Sequence, residues 1–215
     1  GPNQEYMSEP TELIINVKNS ILLFGIVSED MTLDPEREYL VSGNLIFIND
    51  AVLTIPPGTI ISVSDGFKIT FNNNSSVQAV GNKDEFIIFK PESNYWNGFV
   101  MSDGNAPSNF EFLKISGIIE DRLLNIHENV TFKHVLFFDN KVFFAYSGGA
   151  SVQEYCNFYE NDFIFLGVAG ENINEDKFIS TNFINNYTSR SVEYFNQIVS
   201  YSSSANHSAD SQTTH

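Results

Sequence analysis

Two carboxylates are the first candidates for chemistry. Asp139 and Glu160 hold equivalent places in the related stretches VLFFDN (135–140) and CNFYEN (156–161), each just before an Asn. Two carboxyl groups facing each other about 5 to 9.5 Å apart can hydrolyse a glycosidic bond. The third related stretch, TNFINN (181–186), carries Asn185 there, and simple turn chemistry accounts for an Asp/Glu/Asn series equally well. A sugar lyase needs a basic side chain beside an acidic, cation-binding cluster. Arg122, after Glu120 and Asp121, is the arginine with acidic neighbours of that kind, and a solvated turn explains it too. His127 and His134, near Glu128, fall short of the three convergent ligands that zinc needs. Cys156 lacks a recognisable Cys-His-Asn arrangement and reads as a small buried hydrophobe. No phosphate-binding or dinucleotide fingerprint occurs. No catalytic residue is assigned.

Binding offers better candidates. Tyr95-Trp96, Phe143-Phe144-Tyr146 and the pair Tyr155 and Tyr159 are dense aromatic groups. Most Phe, and Trp96, are expected in the core. Tyr95, Tyr155 and Tyr159 are expected outside, as a platform for sugars or a protein partner. Two acidic loops, SEDMTLD (28–34) and GENINED (170–176), are the places where Ca²⁺ would find oxygen ligands. Glu171, Asn172, Glu175 and Asp176 are the residues it would use, although neither loop has EF-hand or nonapeptide spacing. No other cofactor is expected.

The elements that must hold these residues follow from repetition. VLFFDN, CNFYEN and TNFINN share the frame Phe-x-x-Asn, with Phe137, Phe158 and Phe183, and Asn140, Asn161 and Asn186. Upstream, Phe112 and Phe89 extend the series, giving steps of 23, 25, 21 and 25 residues. Two residues before each Phe stand Ile87, Phe110, Val135, Cys156 and Thr181. In a strand, positions i and i+2 share a face. The five Phe are therefore expected on one internal ladder of a solenoid, whose coils bury apolar surface only against their neighbours. The three Asn are expected to stack at a bend. Sequons at Asn73, Asn74, Asn129, Asn186 and Asn206 are what an Asn- and Ser-rich chain produces by chance.

Composition agrees. The 215 residues suit one domain, and 20 Phe and 9 Tyr favour strands. A net charge of −16, with 11 basic residues scattered, excludes a nucleic-acid partner and disfavours anionic membranes. One cysteine precludes an internal disulfide framework. No apolar run approaches the roughly 18 to 20 residues of a membrane span. Gly1-Pro2 resembles the scar of tag removal and is left out of fold reasoning, so a leader peptide is not argued against.

Residues 21–187 resemble a known family, the right-handed parallel β-helix surface proteins of Bacteroidetes-type bacteria, within the pectate-lyase-like superfold. The resemblance rests on Gly25, Thr32-Leu33, Tyr39-Leu40, LTIPPGTI (53–60), Gly81, IIF (87–89) and Trp96-Asn97-Gly98, in that order. It implies an all-β, single-stranded right-handed parallel β-helix with an N-terminal cap, in which Pro57-Gly58 turns the chain between faces. It also implies a secreted or surface-displayed bacterial module, such as an adhesin or outer-membrane lipoprotein. The family's glycosidase motifs of paired Asp and Gly-His-Gly are absent.

The expected organisation is a scar, polar start and cap over 1–40, a β-helix over 41–187, and a C-terminal segment over 188–215 ending in a Ser-rich tail. The expected function is non-catalytic binding or scaffolding of a carbohydrate or protein at the cell surface, outer-membrane-associated or extracellular. A polysaccharide lyase or glycosidase on the same fold, and a structural stalk or assembly subunit, are the alternatives. Far-ultraviolet circular dichroism should show β-sheet with little helix; a strong helical signal would end the solenoid reading.

Overall fold

The computed structural model describes residues 20–102, 106–122, 124–126, 130–144, 151–165, 177–180, 182–184 and 186–188. Every element among them is a strand, and every strand pairing is parallel. The first coil holds β1 (Ile21–Val27) and β2 (Met31–Thr32); the second holds β3 (Glu38–Phe47) and β4 (Val52–Ile55). The third runs through β5 (Ile60–Val63), β6 (Ile69–Phe71) and β7 (Ser76–Val80), and the fourth through β8 (Ile87–Pro91), β9 (Phe99–Met101) and β10 (Ser108–Glu111). The fifth has β11 (Leu113–Ser116), β12 (Ile119–Arg122), β13 (Leu124–Ile126) and β14 (Val130–Lys133). Then come β15 (Leu136–Phe138), β16 (Lys141–Phe144) and β17 (Ser151–Glu154), and after them β18 (Asn157–Tyr159), β19 (Asp162–Phe165) and β20 (Lys177–Ile179). β21 (Asn182–Ile184) and β22 (Tyr187–Thr188) close the described part.

Three faces result. On face one, β1 and β3 lead into the stack β5, β8, β11, β15, β18, β21. Face three stacks β2, β4, β7, β10, β14, β17 and β20. Face two begins with the second halves of β1 and β3, continues through β6, β9 and β13, and carries β12, β16, β19 and β22 as a separate stack. This is the parallel β-solenoid that the repeats predict, consistent with a right-handed β-helix. Pro57-Gly58 does turn the chain between faces: Gly58 has φ 78°, and Thr59 N–H and Oγ1 both donate to the Pro56 carbonyl.

The core is a set of like-on-like columns. Tyr39, Ile61, Phe89, Ile115, Phe137 and Phe158 succeed one another in register on face one, all buried. Phe110 and Phe132 stack on face three at 4.8 Å, Phe137 and Phe158 at 4.7 Å, and Phe47 and Phe71 at 5.0 Å, all nearly coplanar. Those spacings match the distance between neighbouring strands, so the backbone ladder itself sets the ring stacking. Across the interior, Phe132 meets Phe137 edge-on at 5.6 Å.

The expected five-Phe ladder needs one correction. Phe183 follows Phe158 in register, but the rung between Phe89 and Phe137 is Ile115, not Phe112. Phe110 belongs to face three, paired with Ala79 and Phe132. The reason is the backbone at Phe112, which has φ 54°. A left-handed residue breaks the alternation of the strand. The chain therefore reads Phe110 inward, Glu111 and Phe112 outward, and Leu113 inward again. A spacing of two that looks like one strand is in fact two strands meeting at a corner.

The Asn ladder forms as expected. Asn161 Oδ1 accepts from Asn140 N at 3.1 Å and from Asn140 Nδ2 at 2.8 Å, and Asn186 Oδ1 accepts the same pair from Asn161 at 3.1 and 2.9 Å. Each Nδ2 also donates to a core-strand carbonyl of the preceding coil: Ile115, Phe137 and Phe158 in turn. At the N-terminal end of the ladder, Asn140 Oδ1 accepts from Ile118 N at 2.9 Å. Asn140 and Asn161 are fully buried, so these bonds are made where unmade ones are costly. Asn161→Ala orphans the buried Asn140 N–H and leaves Asn140 Nδ2 with only the Ile115 carbonyl, and should cost about 2 kcal/mol in urea unfolding. Asn182→Ala, on the solvent side, should cost under about 0.5 kcal/mol. Equal losses would mean that the ladder is not a special source of stability.

Candidate functional site

The corner that broke the Phe ladder recurs on every later coil. Phe112, His134, Tyr155 and Ser180 lie one or two residues before the strands of face one, and their φ values are 54°, 54°, 55° and 49°. Around each, the same pattern holds: Phe132 in, Lys133 and His134 out, Val135 in; then Gln153 in, Glu154 and Tyr155 out, Cys156 in. The corner side chains therefore stack outside the solenoid as a second ladder. Phe112 and His134 lie 4.5 Å apart at 15°, and His134 and Tyr155 5.1 Å apart at 11°. Phe86 begins the column, edge-on to Phe112 at 5.9 Å, with Lys114 Nζ 5.0 Å over its ring.

Face one extends this column into a surface. Alternation along β15, β18 and β21 turns Leu136 and Phe138, Asn157 and Tyr159, and Asn182 and Ile184 outward. Tyr155, at the corner, and Tyr159, in β18, thus sit in one coil on either side of Asn157. They are 49% and 36% exposed. Asn182 Nδ2 donates to Asn157 Oδ1 at 2.9 Å, so the middle column is an amide ladder. Beside the ring column, Glu111, Lys133 and Glu154 alternate in sign, with Lys133 Nζ 3.8 Å from Glu111.

Tyr95 is not part of this surface. It lies half-buried at the corner after β8, where Lys141 Nζ sits 4.8 Å over its ring. A hydrogen bond to Tyr95 and the ring's negative charge when ionised both favour the Lys141 ammonium and raise its pKa. Trp96 beside it is a core residue, wholly buried, with Nε1 donating to the Ser116 carbonyl at 2.8 Å. The sequence separates Tyr155 and Tyr159 from the core Phe correctly. It misses Phe112 and His134 as their neighbours. The available signal is position: each stands immediately before an inward apolar residue, Leu113 or Val135, as Tyr155 stands before Cys156.

Asp139 and Glu160 occupy the opposite corner of face one on successive coils, with φ 50° and 51°, following Gly117 at φ 70°. Both are exposed. Their backbones are one coil apart, about 4.8 Å. They lack the apolar enclosure that a general acid uses. Arg122 lies in β12. His127, Phe143-Phe144-Tyr146 as a group, and the Ca²⁺ candidates Glu171, Asn172, Glu175 and Asp176 lie wholly or partly outside the described residues, as do the polar start and the Ser-rich tail. Among the described residues, no group of three or more His, Cys, Asp or Glu is placed to hold a metal ion.

These features define a parallel β-solenoid with an aromatic and amide surface on one face. Residues 25–119 match the family model of the pectate-lyase-like β-helix domain. Comparison with curated proteins and with solved structures gave no match. No helix among the described residues is long and apolar enough to cross a membrane.

Cys156 lies under this surface, fully buried between Val135 and the next coil. Burial pushes its thiol up to about 12. Since the thiolate is the reactive species, the native protein should resist a thiol reagent at pH 8 and react quickly once denatured. The folded state holds the proton that the unfolded thiol releases near 9.0, so this group's contribution to stability should be constant below pH 9 and decline from there towards 12. Rapid native labelling would contradict the buried position.

Proposed function

We propose that the chain is a non-catalytic, extracellular or surface-displayed binding module whose face-one surface takes a carbohydrate or protein partner. The observation that supports this reading is the outward array of Phe112, His134, Tyr155, Asn157 and Tyr159. It combines rings with amides on a regular, rigid backbone, the mixture that recognition surfaces use. A core requirement does not explain it, because the interior has its own complete columns. The net charge of −16 favours neutral or cationic partners over polyanions. Surface display follows the resemblance to bacterial surface β-helices and agrees with the acidic composition.

A second reading has one observation in its favour. Asp139 and Glu160 stand on neighbouring coils, at a backbone spacing close to the roughly 5–5.5 Å carboxyl separation of retaining glycosidases. Their exposure at a corner weighs against it. The Asp139→Asn, Glu160→Gln double variant separates the two readings. It should fold as the parent does and keep partner binding, whereas Tyr155→Ala with Tyr159→Ala should weaken binding at least about tenfold. Release of reducing ends or unsaturated sugars by the parent, lost in the carboxylate variant, would establish catalysis instead.

A further inference from the structure

Among the described residues the external ring column ends at Tyr155. Phe112, His134 and Tyr155 are stacked face to face, so the faces of the inner ring are covered by its neighbours. One face of Tyr155 lies against His134; the other points along the solenoid axis to the next coil. There the register places Ser180, because Glu154 pairs with Ile179 and Asn157 with Asn182. Ser180 keeps the left-handed backbone of the corner, φ 49°, but contributes a hydroxymethyl group where the previous three coils contribute rings. Among the described residues the stack therefore has no next ring, and Tyr155 is half exposed.

We infer that the ledge above Ser180 is a subsite for one ring of an uncharged glycan, which stacks on the open face of Tyr155 and continues the aromatic column. This rests on the binding role proposed for face one and specifies its ligand. Three observations select a sugar ring. A pyranose presents C–H groups on its face, which suit the negative face of a phenol ring. Its hydroxyls need paired donors and acceptors within reach, and Asn157 and Asn182 supply them two residues along the strand. Asn157 accepts from Asn182 through Oδ1, and its Nδ2 has no acceptor among the described residues. The charges beside the corner alternate, Glu111, Lys133, Glu154, within a strongly acidic chain, which suits an uncharged ligand and opposes a polyanionic one.

Ser180→Tyr tests the subsite directly. The corner already accepts Phe112 and Tyr155 at nearly the same φ, so a ring at 180 is compatible with the backbone. The added ring should fill the ledge, complete the column and leave the circular dichroism spectrum and melting temperature at or above the parent's. Titration calorimetry with neutral gluco-, xylo- and manno-oligosaccharides, and with oligogalacturonate as the anionic control, should show binding of a neutral chain by the parent. Ser180→Tyr should reduce that affinity at least about tenfold, Tyr155→Ala similarly, and Ser180→Ala not at all. Should Ser180→Tyr misfold, Ser180→Ala and Tyr155→Ala still decide the matter, because the subsite requires the ring and not the hydroxyl. Unchanged or tighter binding by folded Ser180→Tyr, with weaker binding by Tyr159→Ala, overturns the subsite while keeping face one as the binding surface. Binding of oligogalacturonate alone, or of no oligosaccharide, overturns the glycan assignment. Loss of a protein partner in the Tyr155 and Tyr159 variants would then still uphold the wider binding role.

Discussion

Among the described residues, the strands of each coil pair only with those of the coil before and the coil after, strand upon parallel strand. That constraint fixes the register, and the register decides everything else. A side chain has, directly above and below, residues from sequence positions some twenty to thirty away, at the spacing between strands. Flat side chains of the same kind fill such a column without voids. Hence Phe stacks on Phe in the core, with centroids 4.7 to 5.0 Å apart in three separate columns. Asn stacks on Asn at a bend for the same reason, since an amide has both the donor and the acceptor that its copy on the next coil requires.

The corners are where the constraint becomes interesting for function. A triangular coil must change direction between faces, and here it does so with left-handed residues, single or in consecutive pairs such as Asn49-Asp50 and Asn73-Asn74, many of them not glycine. Such residues cost conformational energy. In return, the corners at Phe112, His134 and Tyr155 each place two consecutive side chains outside and return the next to the core. Stacked coil upon coil, the corners generate external ladders as regular as the internal ones. One of these is the column Phe112, His134, Tyr155; another is the series Gly117, Asp139, Glu160. A regular outer ladder arises without dedicated loops, so the surface proposed for binding is held by the same hydrogen bonds that hold the fold.

The proposed surface also explains a feature of composition. Apolar rings exposed on a solenoid invite lateral association. Inside the stacked column the edges of the rings, rather than their faces, meet solvent, the outer face of Tyr155 being the exception, and a charged column of alternating sign lies beside them. The acidity of the whole chain adds long-range repulsion between copies.

Much of the architecture is legible in the sequence. The frame Phe-x-x-Asn recurs because Phe137, Phe158 and Phe183, and Asn140, Asn161 and Asn186, must superpose along the axis. LTIPPGTI and Trp96-Asn97-Gly98 mark a turn and a buried anchor whose chemistry is local. Strand alternation likewise puts Tyr155 and Tyr159 outside. What the sequence leaves undecided is the register of the less regular coils. Phe110 and Phe112 look like one inward strand, because a spacing of two carries no sign of the left-handed backbone between them. Only stacking against Leu113, Ile115 and the coils on either side fixes Phe112 outside and brings it to His134 and Tyr155. Local sequence determines which residues repeat; contacts between coils, tens of residues apart, decide which of them meet.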